Sequence, residues 1–276
     1  MSVILIIILL FTGAGIGFLS ALLGIGGAVI MTPVQFWLYT SAGMSTDLAI
    51  KISFATTLAV ILPTAASGVW QHQRRKGINW RVAVFIGIVT SIGGFLGASI
   101  STHLPGSALK IAFGAVALVI GIRMVTAKIS DVERPIRDNR WLWFGLALPI
   151  GLITGILGIG GGIFIVPALV LVLGFRMREA VGTSLGIMLF TSTGAIIGYI
   201  VNGLSMPDLP ANTIGYVYWP AWIVLTISSI GMAQAGAILA HKIPGRVLNY
   251  IFIALQFYVA LNMLGVFNWL LSLFKG

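Results

Sequence analysis

The segment Gly17-Phe-Leu-Ser-Ala-Leu-Leu-Gly-Ile-Gly-Gly-Ala-Val-Ile-Met-Thr-Pro33 recurs as Gly151-Leu-Ile-Thr-Gly-Ile-Leu-Gly-Ile-Gly-Gly-Gly-Ile-Phe-Ile-Val-Pro167, a constant 134 positions later. The chain is therefore built twice from one unit, and each copy interrupts an apolar run with adjacent glycines. Apolar residues make up 58% of the chain and charged ones 8%, with mean hydropathy +1.07. Soluble domains carry roughly 45–50% apolar residues. Nearly all of the chain consists of apolar runs near the ~20 residues that cross a ~30 Å hydrocarbon core. These features predict an all-α polytopic membrane protein, with the lipid bilayer as its partner.

The net charge of +10 does not point to nucleic acid, because the basic residues sit mostly in short loops between apolar runs, where they orient membrane helices. The first 23 residues lack a basic stretch ahead of their apolar run, so they are expected to be a retained segment and not a cleaved leader. There is no cysteine, which removes disulfides, thiolate metal sites and thiol nucleophiles.

Polar residues, Gly and Pro divide each copy into five apolar segments. The first copy, 1–127, has them at 3–23, 28–40, 47–70, 81–101 and 107–127. A linker, 128–140, leads to the second copy, 141–276, with segments at 141–157, 163–174, 178–201, 217–240 and 246–272. The repeat extends past the glycines. Asp47-Leu-Ala-Ile-Lys-Ile-Ser53 aligns with Arg178-Glu-Ala-Val-Gly-Thr-Ser184, and Leu104-Pro105-Gly106 aligns with Ile243-Pro244-Gly245.

Charge decides how the copies are oriented. If each glycine break separates two elements, the copies are inverted. One side then holds Arg74, Arg75, Lys76, Arg81, Arg123, Lys128, Arg134, Arg137, Arg140, Arg176, Arg178, Lys242 and Arg246, against Lys51, Lys110 and Lys275 on the other. Fusing the segments around each break into one crossing gives parallel copies and a weaker ten-to-six partition. The positive-inside rule favours inversion, with both termini outside the cytoplasm and the linker inside. Segments 28–40 and 163–174 are too short to span easily, about 18–20 Å as helix. They are expected to form re-entrant hairpins or broken helices whose tips meet near the midplane.

A non-helical stretch at membrane depth must be buried in protein or line a cavity. Each break leads into a short helix, with Pro33 or Pro167 placed early, so each copy aims an N-terminal helix end and its free N–H groups at the interior. The two ends predict a site for a small anion, with Gly24, Gly26 and Gly27 from one copy and Gly158, Gly160, Gly161 and Gly162 from the other. Side chains able to complete it are Gln35, Ser53, Thr56, Thr57, Thr183 and Ser184, with Ser20, Lys51, Thr154 and Gln234 as further candidates. The competing reading is packing, since small residues let membrane helices approach closely, as expected of Gly93, Gly97, Gly194 and Gly198. Membrane Ser and Thr also bond their own backbone, and Lys51 could snorkel to the interface.

No catalytic constellation, metal site or cofactor is expected. All six acids, Asp47, Asp131, Glu133, Asp138, Glu179 and Asp208, fall in loops or at segment ends. His103 and His241 lie on opposite sides in the inverted arrangement. The glycine motif lacks the Lys-Ser/Thr ending of a phosphate-binding loop.

Gly155-Ile-Leu-Gly-Ile-Gly-Gly-Gly-Ile-Phe-Ile-Val-Pro167 with its copy at 21–33, Ala180-Val-Gly-Thr-Ser184, and the Gln71-His72 to Gly77-Ile-Asn-Trp80 turn resemble the sulfite exporter TauE/SafE family over essentially the whole chain. The resemblance implies a permease of the cytoplasmic membrane that moves sulfur-containing anions, such as sulfite, sulfonates or sulfoacetate, by a secondary mechanism. One departure is Lys51-Ile52 where the second copy has Gly182-Thr183, so the Thr-Ser pair occurs once. Alternating access is the leading expectation. A passive anion channel, a carrier of small carboxylates, an intramembrane enzyme and an assembly factor are the alternatives, and assembly into a homo-oligomer stays open.

Overall fold

The computed structural model describes residues 3–23, 27–74, 77–126, 138–239, 253–254 and 257–266. The first copy supplies α1 (Val3–Leu23), α2 (Ala28–Ser41), α3 (Thr46–Arg74), α4 (Trp80–His103) and α5 (Gly106–Thr126). The second supplies α6 (Arg140–Leu157), α7 (Gly162–Pro167), α8 (Met177–Gly203) and α9 (Trp219–Leu239). A π-helical turn, Ala168–Val172, continues α7. The expected segment 246–272 falls largely outside the described residues, as does the linker.

The protein is a multi-pass helical membrane protein. α3, α4, α6, residues 106–123 of α5 and residues 179–203 of α8 are each long and apolar enough to cross a bilayer. By contrast, α2 has 14 residues and the helical run 162–172 has 11, about 21 and 16 Å at 1.5 Å per residue. Asn79 and Asn139 start α4 and α6 by accepting the N–H groups of Val82 at 3.3 Å and Trp141 at 3.0 Å.

The prolines of the short helices fall later than the sequence suggests. Pro33 is the sixth residue of α2 and Pro167 the sixth and last of α7. At that depth a proline removes an i to i−4 hydrogen bond. At Pro167 the helix widens into the π turn, a usual response to a broken ladder.

Contacts fix the running directions. Thr183 Oγ1 accepts from Asn79 N at 3.0 Å, the Thr191 and Thr90 hydroxyls lie 2.6 Å apart, and Asn202 Nδ2 donates to Ser99 Oγ at 3.0 Å. α4 and α8 therefore run side by side in the same direction. α6 runs with them, because Gly93 packs on Leu148 and Leu152, and Gly155 on Gly94 and Ala98. α3 runs with α9: Tyr218 N bonds Thr56 Oγ1 at 3.0 Å and Trp222 Nε1 bonds Ala59 O at 2.9 Å. α1 follows α9, with Gly13 against Leu225 and Gly17 against Ser229. The late part of α3 meets the early part of α8, where Gly68 packs on Leu185. Thus α1, α3 and α9 point one way and α4, α6 and α8 the other.

Gly93, Gly97, Gly194 and Gly198 lie where a Cβ would strike the neighbouring helix, so they serve close packing as expected. Outward faces are apolar: Phe11, Ile88, Ile92, Val119, Ile197, Val201 and Ile227 are exposed. Arg81 and Arg140 open α4 and α6 at one end, where Arg81 pairs with Asp138 at 2.8 Å. Trp70, Trp80 and Trp141 are exposed at the same end, with Arg74 stacked 5.0 Å from Trp70, a combination typical of a membrane boundary.

Candidate functional site

The second glycine break is fully placed. α6 ends at Leu157, and Gly158, Gly160 and Gly161 take φ of 63°, 74° and 91°, conformations that side chains other than glycine strongly resist. Gly158 N–H closes α6 on Thr154 O, and Gly161 O accepts the N–H groups of Phe164 and Ile165 to start α7. The N–H groups of Gly160, Gly161, Gly162 and Ile163 find no acceptor among the described residues. The whole turn from Leu157 to Ile163 is buried. Four unpaired donors in a buried turn at a helix start form an anion-binding arrangement.

This turn packs on the middle of α3. A Cβ at Gly158 would lie 2.5 Å from Phe54 Cβ, and one at Gly160 2.5 Å from Ile61 Cδ1. Phe54, Thr57 and Ile61 share one stripe of α3 by helical periodicity. Thr57 thus falls between the two contacts made by the break. Tyr199 Oη donates to Gly155 O at 3.1 Å and is hydrogen-bonded with the Ser101 hydroxyl at 2.9 Å. Ser101 and Tyr199 are close to the C-terminal ends of α4 and α8, so the turn reaches past the middle of both helices.

Thr57 is the centre of a buried polar cluster. Gln35 Nε2 donates to Thr57 Oγ1 at 2.8 Å, and Thr32 Oγ1 approaches the same oxygen at 3.2 Å. Tyr39 Oη donates to Gln35 Oε1 at 3.0 Å and orients the amide. The second Gln35 amide hydrogen is held loosely, by Met31 O at 3.4 Å. Gln35 donates to Thr57, and the Thr32 and Thr57 hydroxyls share one hydrogen bond, so the pair keeps one hydroxyl hydrogen uncommitted. Thr56, next on the helix, accepts Tyr218 N, and Tyr218 packs edge-on against Tyr39 with centroids 5.9 Å apart.

The structure therefore sets Gln35 and Thr57 beside the stretch of α3 on which Gly158 and Gly160 pack, while Thr56 faces Tyr218. Other candidates lie elsewhere. Ser53 bonds Ala49 O at 2.6 Å, and Thr154 bonds its own helix at Ile150 O and Gly151 O. Thr183 caps the start of α4 through Asn79, and Ser184 faces Met188 Sδ at 3.9 Å. Lys51 is buried and reaches back to the first turn of α3, paired with Asp47 Oδ2 at 2.8 Å and bonded to Thr102 O at 2.9 Å. Asp47 Oδ1 also accepts Gly106 N at 2.7 Å, so the pair ties α3 to the α4–α5 corner.

Gly24 and Gly26 lie outside the described residues, and so do the side chains of Ser20 and Gln234. Gly27 starts α2 by accepting the N–H groups of Ile30 and Met31.

Sequence reasoning missed Thr32, Tyr39 and Tyr218. The first two were legible as neighbours of Gln35 at i−3 and i+4 on one helix face. The cluster exists once: the repeat places Val166, Leu169 and Met188 where the first copy has Thr32, Gln35 and Thr57. Among the described residues no group of three or more His, Asp or Glu side chains gathers as metal ligands would.

Known proteins resemble this chain in sequence. The sequence model of the sulfite exporter TauE/SafE family matches residues 9–263. A probable membrane transporter protein of Methanocaldococcus jannaschii is 28% identical over 272 residues, covering 95% of this chain and 96% of that one. A probable membrane transporter protein of Haemophilus influenzae is 26% identical over 260 residues, covering 94% and 97%. The chain belongs to the sulfite exporter TauE/SafE family of membrane transporters.

Proposed function

From membership of this family, we propose that the protein is a secondary transporter of the cytoplasmic membrane that carries a small sulfur-containing anion by alternating access. The sulfite, sulfonate and sulfoacetate type is the class that the family name and the donor chemistry support. The observation that carries the reading is that two donor sets lie against the middle of α3 in the bundle interior. One is the unpaired N–H row Gly160–Ile163, and the other is the Gln35–Thr57 pair on α2 and α3. Both present hydrogens, and neither includes a carboxylate that would repel an anion.

The opposed running directions of α3 and α8, and of α4 and α9, fit an inverted pair whose halves exchange conformations about a shared site. In this reading the end carrying Arg81, Arg140 and Arg176 faces the cytoplasm. The second copy supplies the backbone cradle and the first the polar side chains. Transport would follow from rocking one half against the other while α3, which touches both donor sets, stays central.

The test is counterflow in proteoliposomes loaded with sulfite, sulfoacetate, taurine, sulfate or a short carboxylate. A carrier gives saturable exchange for the sulfur anions. Unitary currents without saturable exchange would make the protein a channel, and preference for carboxylates would overturn the substrate class.

A further inference from the structure

Ser192 on α8 is fully buried, and its hydroxyl has no hydrogen-bond partner among the described residues. Its neighbours behave differently. Thr191 bonds Ile187 O at 3.0 Å and Thr193 bonds Leu189 O at 2.7 Å, the usual refuge of hydroxyls in membrane helices. Leaving a buried hydroxyl unpaired is costly unless something completes it.

Three contacts locate that hydroxyl. Leu185, seven residues earlier on α8, packs on Gly68 of α3. Tyr199, seven residues later, bonds Gly155 O at the end of α6. Residues seven apart share a helix face, so Ser192 looks out between α3 and the second glycine break. The opposite directions of α3 and α8 sharpen the placement. Seven steps forward from Leu185 correspond to seven steps back from Gly68, which sets Ser192 level with Ile61. Ile61 is the residue that Gly160 packs against. The repeat gives the same match, since Ile61 and Ser192 occupy equivalent positions 131 apart, as do Thr57 and Met188. The second copy thus loses its hydroxyl at Met188 and regains one a turn further on.

We propose that Ser192 is a substrate-binding residue, donating its hydroxyl hydrogen to an oxyanion held at the Gly160–Ile163 N–H groups. The proposal rests on the anion site put forward above and adds a donor from α8 to those from α7 and α3. Donors arriving from three elements suit an oxyanion with three oxygens on sulfur better than a planar carboxylate with two.

The experiment compares wild type, Ser192→Ala, Ser192→Thr and Gln35→Met by sulfite-induced thermal shift and by KM in counterflow. Ser192→Ala is expected to melt no lower than wild type without anion, because it removes an unpaired buried hydroxyl. It is expected to lose most of the sulfite-induced shift and to raise KM about tenfold or more, the usual effect of deleting a hydrogen bond to a charged group. Ser192→Thr, which keeps the hydroxyl, is expected to retain more of the shift than Ser192→Ala. An unchanged shift and KM in Ser192→Ala while Gln35→Met is impaired would overturn the role of Ser192 and leave the site standing. Unchanged behaviour in both Ser192→Ala and Gln35→Met would overturn the role and the site together.

Discussion

Gly160→Ala probes the seating of the break on α3, and its cost can be worked out from the structure. Alanine at φ 74° pays for a left-handed backbone, about 1–2 kcal/mol. Its Cβ would also stand 2.5 Å from Ile61 Cδ1, and overpacking of this kind costs about 1–3 kcal/mol. The single variant should therefore lose about 2–5 kcal/mol, the sum of those terms. Ile61→Val deletes Cδ1 and alone costs about 0.5–1.5 kcal/mol. The next Ile61 atoms lie at 3.5 and 3.6 Å, ordinary contact, so the double variant should keep only the backbone cost. A double-mutant cycle from unfolding in detergent is expected to give a rescuing coupling of about 1.5–4.5 kcal/mol, the overpacking relieved plus the Ile61→Val loss recovered. Strictly additive losses would mean that Gly160 does not sit on Ile61, and the apposition of break and α3 would fall.

Other consequences are as direct. Asp47→Asn strands the buried Lys51 ammonium and should lower the melting temperature more than Lys51→Met, while KM for the anion stays put in both; a large KM change would return Lys51 to the site. Tyr199→Phe removes the hydroxyl that bonds Gly155 O and Ser101 Oγ at constant shape and should cost about 1–3 kcal/mol, measured as the shift in unfolding midpoint. On the cysteine-free background, Asp208→Cys should react with an impermeant thiol reagent only from outside the cell and Arg140→Cys only from the cytoplasmic face. The reverse pattern would overturn the orientation.

The glycine break was legible because its requirement is local. Three positive φ angles within four residues, at Gly158, Gly160 and Gly161, are written in the residue types themselves. Gln35 and Thr57 were legible as polar residues on apolar helices, whereas their hydrogen bond spans 22 positions and depends on how α2 folds back on α3. The tie of Lys51 to α4 was not legible, because its partner Thr102 O is a backbone atom 51 residues away that no side-chain pattern announces. The hairpin β1 (Thr213–Ile214) and β2 (Val217–Tyr218) was also unforeseen. Its turn signals, Asn212 at φ 69° and Gly215 at φ 54°, were in the sequence, but its tucking of Tyr216 into the bundle is a tertiary outcome.

The central claim is that one anion sits between the Gly160–Ile163 N–H groups and the Gln35–Thr57 pair, and equilibrium titration of purified protein with sulfite tests it most directly. Gln35→Met keeps the volume and removes the amide, so wild type should bind saturably and the variant about tenfold or more weakly, measured well below the melting temperature of the variant, which falls because Tyr39 Oη loses its acceptor. Equal sulfite affinity in wild type and Gln35→Met would contradict the account.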